Sequence, residues 1–169
     1  MKKEISTGRD YAMAVRGSLK EEHRHMGLML PGTAIAVVDY EQRKILLQRR
    51  TDNNTIGMLG GGIGVTESFE ECAVRELFEE SGLKAEEKDF KPFKVFKGEE
   101  FITIHPNGDE VIHINWATIL DYKKTTGELI SSNEETKELM WVPYEEVLGL
   151  DLFRANRPML KEIVEYLSK

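Results

Sequence analysis

The chain has 169 residues, 40% of them hydrophobic and 31% charged. That is the make-up of one globular domain with its own core, and it excludes a disordered, fibrous or low-complexity protein. A formal net charge of −7 with no basic run argues against binding nucleic acid broadly through its phosphates. The lone cysteine, Cys72, rules out an intramolecular disulfide.

No apolar run is long enough to span a bilayer, and the opening stretch MKKEISTGRDYAMAVRGSLKEEHRH lacks the apolar core of a secretory leader. No membrane partner is expected, and the cytoplasm is the expected compartment. Residues 9–22 carry an imperfect apolar stripe of Tyr11, Met13, Val15 and Leu19, which predicts a short helix. It belongs to an N-terminal extension, residues 1–30, packed on a domain of residues 31–169. Pro31-Gly32 is expected to stop the short apolar piece Met26 to Leu30. Thr33 to Val38 is dense in β-formers and small apolar residues, and predicts a buried strand. Asp39 to Arg43 is a polar turn, Lys44 to Gln48 the returning strand, and Thr51 to Thr55 a loop.

Gly60-Gly61-Gly62 and Gly64 form a flexible lead-in to a helix. Ser68 and Glu71 make the S-x-x-E capping pattern at its start, and Gly82 closes it. Phe69, Cys72, Ala73 and Leu77 are its expected buried side. Phe93 to Phe96 and Val111 to Leu120 predict strands, with the turn Pro106-Asn107-Gly108-Asp109 before the second. Leu139 to Val142 is a short strand ended by Pro143, Tyr144 to Leu148 a helical segment, and Arg157 to Leu167 the terminal helix. Strands flanked by helices imply an α/β fold, with a mixed sheet between helical layers.

The informative stretch is GGIGVTESFEECAVRELFEESGL, from Gly61 to Leu83. Glu76, Glu79 and Glu80 stand at i, i+3 and i+4, so they share one helical face. Three like charges there repel one another, and a hard divalent cation would reconcile them. Gly61, Glu67, Arg75-Glu76, Glu79-Glu80 and Gly82-Leu83 fall in the pattern G-x5-E-x7-R-E-U-x-E-E-x-G-U, with U aliphatic, at every specified position. In this the chain resembles the Nudix (MutT-like) hydrolases, over roughly residues 30–168.

The resemblance implies an α/β/α sandwich and a metal-dependent hydrolysis of a phosphoanhydride bond, with Mg2+ the expected ion and Mn2+ its substitute. It makes Glu79 and Glu80 the first ligand candidates, with Glu76 acting directly or through water and the Gly60 or Gly61 carbonyl as a further ligand. It gives Arg75 and Glu67 the work of bracing the loop and orienting the carboxylates. An acidic residue about six positions before Trp141 joins the metal site in MutT-type proteins, which selects Glu135, with Glu134 next. Either is a candidate general base, and a loop acid in water is the plainer reading.

The family's usual Trp-Gly-Leu-Pro-Gly-Gly lead-in is here Ile56-Gly57-Met58-Leu59-Gly60-Gly61, without its tryptophan and proline. Glu99 stands where ADP-ribose pyrophosphatases often carry a proline, and Phe101 where dinucleoside polyphosphate hydrolases carry a tyrosine. Phe153 to Pro158 resembles the Ala-Asn-x-Pro segment of MutT-type enzymes, which puts Asn156 forward for a purine edge, against a plain helix cap. Phe101, His105 and Trp116 are candidates to stack on a base, against ordinary packing. The expected partner is a small nucleotide: a nucleoside triphosphate, an oxidised purine included, or ADP-ribose. A homodimer is common in the family. The rival reading is a nucleotide sensor of the same fold that does not cleave; RNA-end hydrolysis is disfavoured by the absence of a basic patch.

Overall fold

The computed structural model describes residues 8–105, 107–130 and 132–169, with side chains from residue 11 onward. Its elements in chain order are α1 (Gly8–Ser18), β1 (Leu28–Asp39), β2 (Lys44–Arg50), β3 (Ile56–Gly57), α2 (Phe69–Ser81), β4 (Lys91–Phe96), β5 (Ile102–Ile104), β6 (Glu110–Asp121), β7 (Thr136–Pro143) and α3 (Asn156–Leu167). Seven strands form one mixed sheet in the order β3-β2-β1-β6-β4, with β5 also on β6 and β7 on β2. Only β1 and β6 run parallel, from Leu28↔Val111 to Val38↔Asp121; the other pairs are antiparallel.

A central strand buried on both faces is apolar almost throughout, and β1 shows why the two layers are needed. Ala34, Ala36 and Val38 join a core with Leu47, Ile119 and the α3 side chains Met159, Leu160 and Ile163. Ile35 and Val37 join a second core with Leu46, Leu120 and the α2 side chains Ala73 and Leu77. The sheet is therefore sandwiched between α2 and α3, the arrangement expected from sequence.

Pro31-Gly32 does not end a strand. β1 runs through it, because the parallel partner Ile114-Asn115 continues alongside and the Pro31 carbonyl accepts from the Ile63 N–H at 3.1 Å. β5 and the two-residue β3 were not foreseen; both are too short to show alternation. Residues 144–149 form a 3-10 helix. In the predicted Pro106–Asp109 turn, Pro106 lies outside the described residues; the His105 N–H donates to the Asp109 carbonyl at 2.8 Å, and Gly108 has φ 87°.

α1 ends at Ser18, short of the expected residue 22, and a 3-10 turn follows at Glu21–His23. Arg16, 7% exposed, fastens this segment to the sheet. Its guanidinium donates to the carbonyls of Arg24, Met26 and Glu110 at 2.6, 3.2 and 2.8 Å, and pairs with Asp109 at 3.4 Å.

Candidate active site

The site begins where β1 and β2 part. They pair only from Val37↔Leu46 to Asp39↔Lys44, and the glycine loop fills the gap beyond. The Ile35 N–H donates to the Leu59 carbonyl at 2.7 Å, and the Thr33 N–H to the Gly61 carbonyl at 2.9 Å. Glycine is required by contact. Gly60 has φ 134°, and a Cβ there would run into the Thr33 carbonyl oxygen; a Cβ on Gly61 would lie 2.5–2.8 Å from the carboxyl atoms of Glu76.

α2 starts at a complete capping box: the Ser68 hydroxyl accepts from the Glu71 N–H, and the Glu71 carboxylate from the Ser68 N–H. It ends on Gly82 in the left-handed conformation, φ 78°, where the N–H donates to the Phe78 carbonyl. Between these ends Arg75 gathers the acids. Its Nε and Nη2 grip the two oxygens of Glu67 at 2.6 and 2.9 Å, and Nη1 meets Glu76 at 2.7 Å and Glu79 at 3.0 Å. Nη2 also donates to the Gly62 carbonyl at 3.1 Å, and Glu67 accepts from the Gly64 N–H at 2.7 Å. Loop and helix are thus clamped through one planar fork, which a lysine could not reproduce. The Arg75 bonds hold the Glu67 carboxyl below the usual carboxylate range.

Glu80 is turned inward and is 3% exposed. It accepts from the Gly60 N–H at 2.7 Å and from Gln48 Nε2 at 2.8 Å. Burial pushes its carboxyl up to about 8, against the pull of those two donors. Glu76, 6% exposed, is likewise raised by burial, with Arg75 opposing. Glu79 stands at the rim, its side chain 56% exposed.

The three helix carboxylates do not by themselves form an ion cage. Glu76 and Glu79 share Arg75, Glu80 faces the glycine loop, and among the described residues no group of three His, Cys, Asp or Glu is arranged to hold a metal. A second acidic segment completes the picture. The Asn133 amide donates to the Glu79 carbonyl at 2.6 Å and its oxygen accepts from the N–H groups of Glu135 and Thr136, while Thr51 Oγ1 donates to the Glu134 carbonyl. This loop faces the end of α2 across a cavity of about 220 Å³ lined by Glu79, Glu80, Asn133, Glu134 and Glu135. Four carboxylate-bearing residues and no cationic one line it. Oxygen donors of this kind suit a hard divalent cation, and two of the lining residues, Glu135 and Glu134, are the loop acids put forward from sequence.

Arg50 stands close by: it acts electrostatically on Glu80 and Glu135, pairs with Asp52 at 2.9 Å, and lies 5.3 Å over the Phe153 ring. Sequence reasoning missed Arg50, Gln48 and Asn133. Gln48 had a signal, a polar residue ending the apolar strand KILLQ; it is 1% exposed and also accepts from Thr136.

Other candidates fare differently. Asn156 does not cap α3, whose N-cap is Ala155; its Oδ1 accepts from the Met58 N–H at 2.8 Å, in contact range of Gly57. Phe101 is 4% exposed and packs on Phe96 at 5.8 Å, so it is a core side chain with no ring face for a ligand. Trp116 packs against Phe69 of α2 at 6.0 Å. His105 is exposed. Cys72 is fully buried, and burial raises its thiol to about 12, which makes it inert packing.

Comparison with known proteins agrees with this architecture. A Mycobacterium tuberculosis protein named "Putative 8-oxo-dGTP diphosphatase 3" is 32% identical over 114 residues, covering 64% of this chain and 48% of its own. The chain thus spans about half the length of the curated relatives it matches. Among solved structures, MutT from Aliivibrio salmonicida and Vibrio cholerae shares the fold with a TM-score of 0.63 at 19% identity, over 82% of this chain and 99% of that one. The NUDIX domain of Shewanella oneidensis NrtR, solved with ADP ribose, gives 0.61 at 16% identity, over 92% and 97%. The family model of the NUDIX domain matches residues 29–163, and the chain belongs to that family.

Proposed function

We propose that this protein is a magnesium-dependent pyrophosphohydrolase that cleaves a phosphoanhydride bond in a nucleoside diphosphate derivative. The observation that carries the proposal is the meeting of helix and loop acids, Glu79 and Glu80 with Glu134 and Glu135, around one cavity. A nucleoside triphosphate is the first substrate to test, an oxidised purine nucleotide included given the name of the M. tuberculosis relative, with ADP-ribose the second. Residues 31–169 are the catalytic domain in this reading and residues 1–30 its extension. The cytoplasm, where nucleotides and magnesium meet, is the setting.

Glu79 and Glu80, with Glu134 and Glu135 across the cavity, are the residues that would hold Mg2+ (or Mn2+); Glu76 and the Gly60 or Gly61 carbonyl are the further ligands that the family pattern implies. The ion would supply charge neutralisation on the phosphates and a more acidic water. The chain does the rest. Arg75 and Glu67 keep loop and helix in register, so that the carboxylates are aimed before substrate arrives. Arg50 offsets phosphate charge beside the cavity. Glu135 accepts the proton of the attacking water. One P–O bond to that water forms as the bridging P–O bond breaks, and no covalent enzyme intermediate is needed.

A panel of nucleotides, incubated with Mg2+ and read by product mass, tests this. Glu79→Gln and Glu80→Gln should lose most turnover while remaining folded, and chelator should stop the wild type. Tight binding with no product would instead support a sensor. Full activity in excess chelator would overturn the metal-dependent reading.

A further inference from the structure

Gln48 sits where an apolar side chain is expected. It follows Leu46 along the α2-facing row of β2, and both are buried, Gln48 with 1% exposed. A buried carboxamide needs partners, and this one has three. Its Nε2 donates to Glu80 Oε1 at 2.8 Å and to the Met58 carbonyl at 3.2 Å, and its Oε1 accepts from Thr136 Oγ1 at 2.8 Å. Both amide hydrogens are used, so a flipped amide would set its oxygen against two acceptors. Each partner belongs to a different wall of the site: Glu80 to α2, Met58 to the segment entering the glycine loop, and Thr136 to β7.

Thr136 reaches that face through a break in register. Gln48 pairs with Leu139 and Arg49 with Glu138, but Arg50 pairs with Thr136, so Lys137 is skipped. In unbroken register Lys137 would stand opposite Arg50. The bulge puts Thr136 there instead, on the side of the sheet that Gln48 and Arg50 share. Thr136 is fully buried and does not line the acid cavity. It is bonded to the loop before it: its N–H donates to Asn133 Oδ1 at 2.6 Å, and its carbonyl accepts from the Asn133 N–H at 2.8 Å. The Asn133 amide in turn donates to the Glu79 carbonyl. The bonds therefore close a ring, from Glu80 through Gln48, Thr136 and Asn133 to Glu79, which leaves α2 at one residue and returns at its neighbour. Glu134 and Glu135, which line the cavity of about 220 Å³ opposite α2, lie within the span from Asn133 to Thr136.

We propose that Gln48 and Thr136 are positioning residues of the acid site, a buried hydrogen-bonded pair that fixes the spacing between the α2 carboxylates and those of residues 133–136. This rests on the metal-dependent hydrolase reading above and adds the residues that set its geometry. Mg2+ accepts little departure from an octahedron, so ligands drawn from two elements must be held at one spacing. Asn133 pins the loop acids from their exposed end and Thr136 from their buried end. A fully satisfied buried network is stiff, and removing one member leaves another polar group unpaired. Thr136→Val would strand the Gln48 oxygen, and the disturbance would pass to Glu80 through the same amide.

The test is the affinity for Mn2+ without nucleotide, followed by electron paramagnetic resonance, and then kcat and KM with Mg2+ on the nucleotide panel. Wild type is compared with Gln48→Met, Thr136→Val, Thr136→Ser and the double variant Gln48→Met/Thr136→Val, each checked by thermal melting. Leu160→Ala, which weakens the core on the other side of the sheet, is the control for lost stability alone. Gln48→Met and Thr136→Val should weaken Mn2+ binding about 10-fold and lower kcat by about 10–100-fold, with KM little changed. Thr136→Ser keeps the hydroxyl and should stay near wild type. The double variant should be no worse than the weaker single one, because both break one chain of bonds. Leu160→Ala should bind Mn2+ as wild type does. Unchanged Mn2+ affinity in folded Thr136→Val, serine no better than valine, or an equal loss in Leu160→Ala overturns the proposal. If Gln48→Met does not fold, the valine and serine variants decide it. If wild type binds Mn2+ but cleaves nothing, the hydrolase reading falls and the affinities still decide the role of the pair. If wild type binds no Mn2+, both fall.

Discussion

The metal-free protein should lose stability as pH rises through the range in which Glu80 ionises, and Glu80→Gln should remove most of that loss. The carboxyl is 3% exposed and is pushed by burial from 4.5 to about 8. Its folded-state pKa lies above the unfolded value, so the stability linked to its proton is complete below about pH 4.5 and drains away as pH climbs through about 8. Within that window the slope is about 1.4 kcal/mol per pH unit, and the total is about 5 kcal/mol. This is a large share of a small domain's stability. Urea unfolding in chelator, at steps from about pH 5 to about pH 9, would measure it. Wild type should weaken steadily across the series and Glu80→Gln much less. Glu76, raised by the same burial, titrates in the same direction and interacts with Glu80, so the difference curve reports Glu80 together with its coupling to Glu76. Added Mg2+ should restore the wild type most at the alkaline end, where the ionised carboxylate is the ligand. Parallel curves for wild type and Glu80→Gln would refute the reasoning, because they would mean that the Gly60 and Gln48 donors already satisfy the charge.

Arg75→Ala should leave Glu67, Glu76 and Glu79 without their shared partner and lower kcat/KM by about 10–100-fold, with Arg75→Lys no better than a partial rescue. Gly61→Ala introduces a Cβ against the Glu76 carboxylate and should lower the affinity for Mn2+, followed by titration, while the melting temperature moves little. Gly60→Ala meets the Thr33 carbonyl from a strained φ and should cost about 1–3 kcal/mol in urea unfolding. Leu160→Ala, fully buried under the sheet, should cost about 2–5 kcal/mol with kcat retained in the folded fraction.

The box between Gly61 and Leu83 was legible because its chemistry is local. Capping at Ser68, closure at Gly82 and the one-turn spacing of Glu76, Glu79 and Glu80 all follow from helix geometry within twenty-three residues. The long strands were legible for a similar reason: β1 carries its two-sided burial from Thr33 to Val38 in composition alone, and β6 stands out as the longest run of β-formers. Short elements failed. β5 has three residues, and Pro31-Gly32 looks like a breaker until Ile114-Asn115 is laid beside it.

From the sequence by itself came the identity of the acids, the helix that bears them, and the layered α/β frame, because periodicity and motif spacing survive in one dimension. Only the tertiary structure decided how those acids are used. It turned Glu80 inward to Gly60 and Gln48, set Arg75 between Glu76 and Glu79, and brought Glu134 and Glu135 across more than fifty residues to the end of α2. It also buried Phe101 and tied Asn156 to Met58. The physical reason is that burial and electrostatic neighbours are properties of a packed interior, and no stretch of chain contains its own partners.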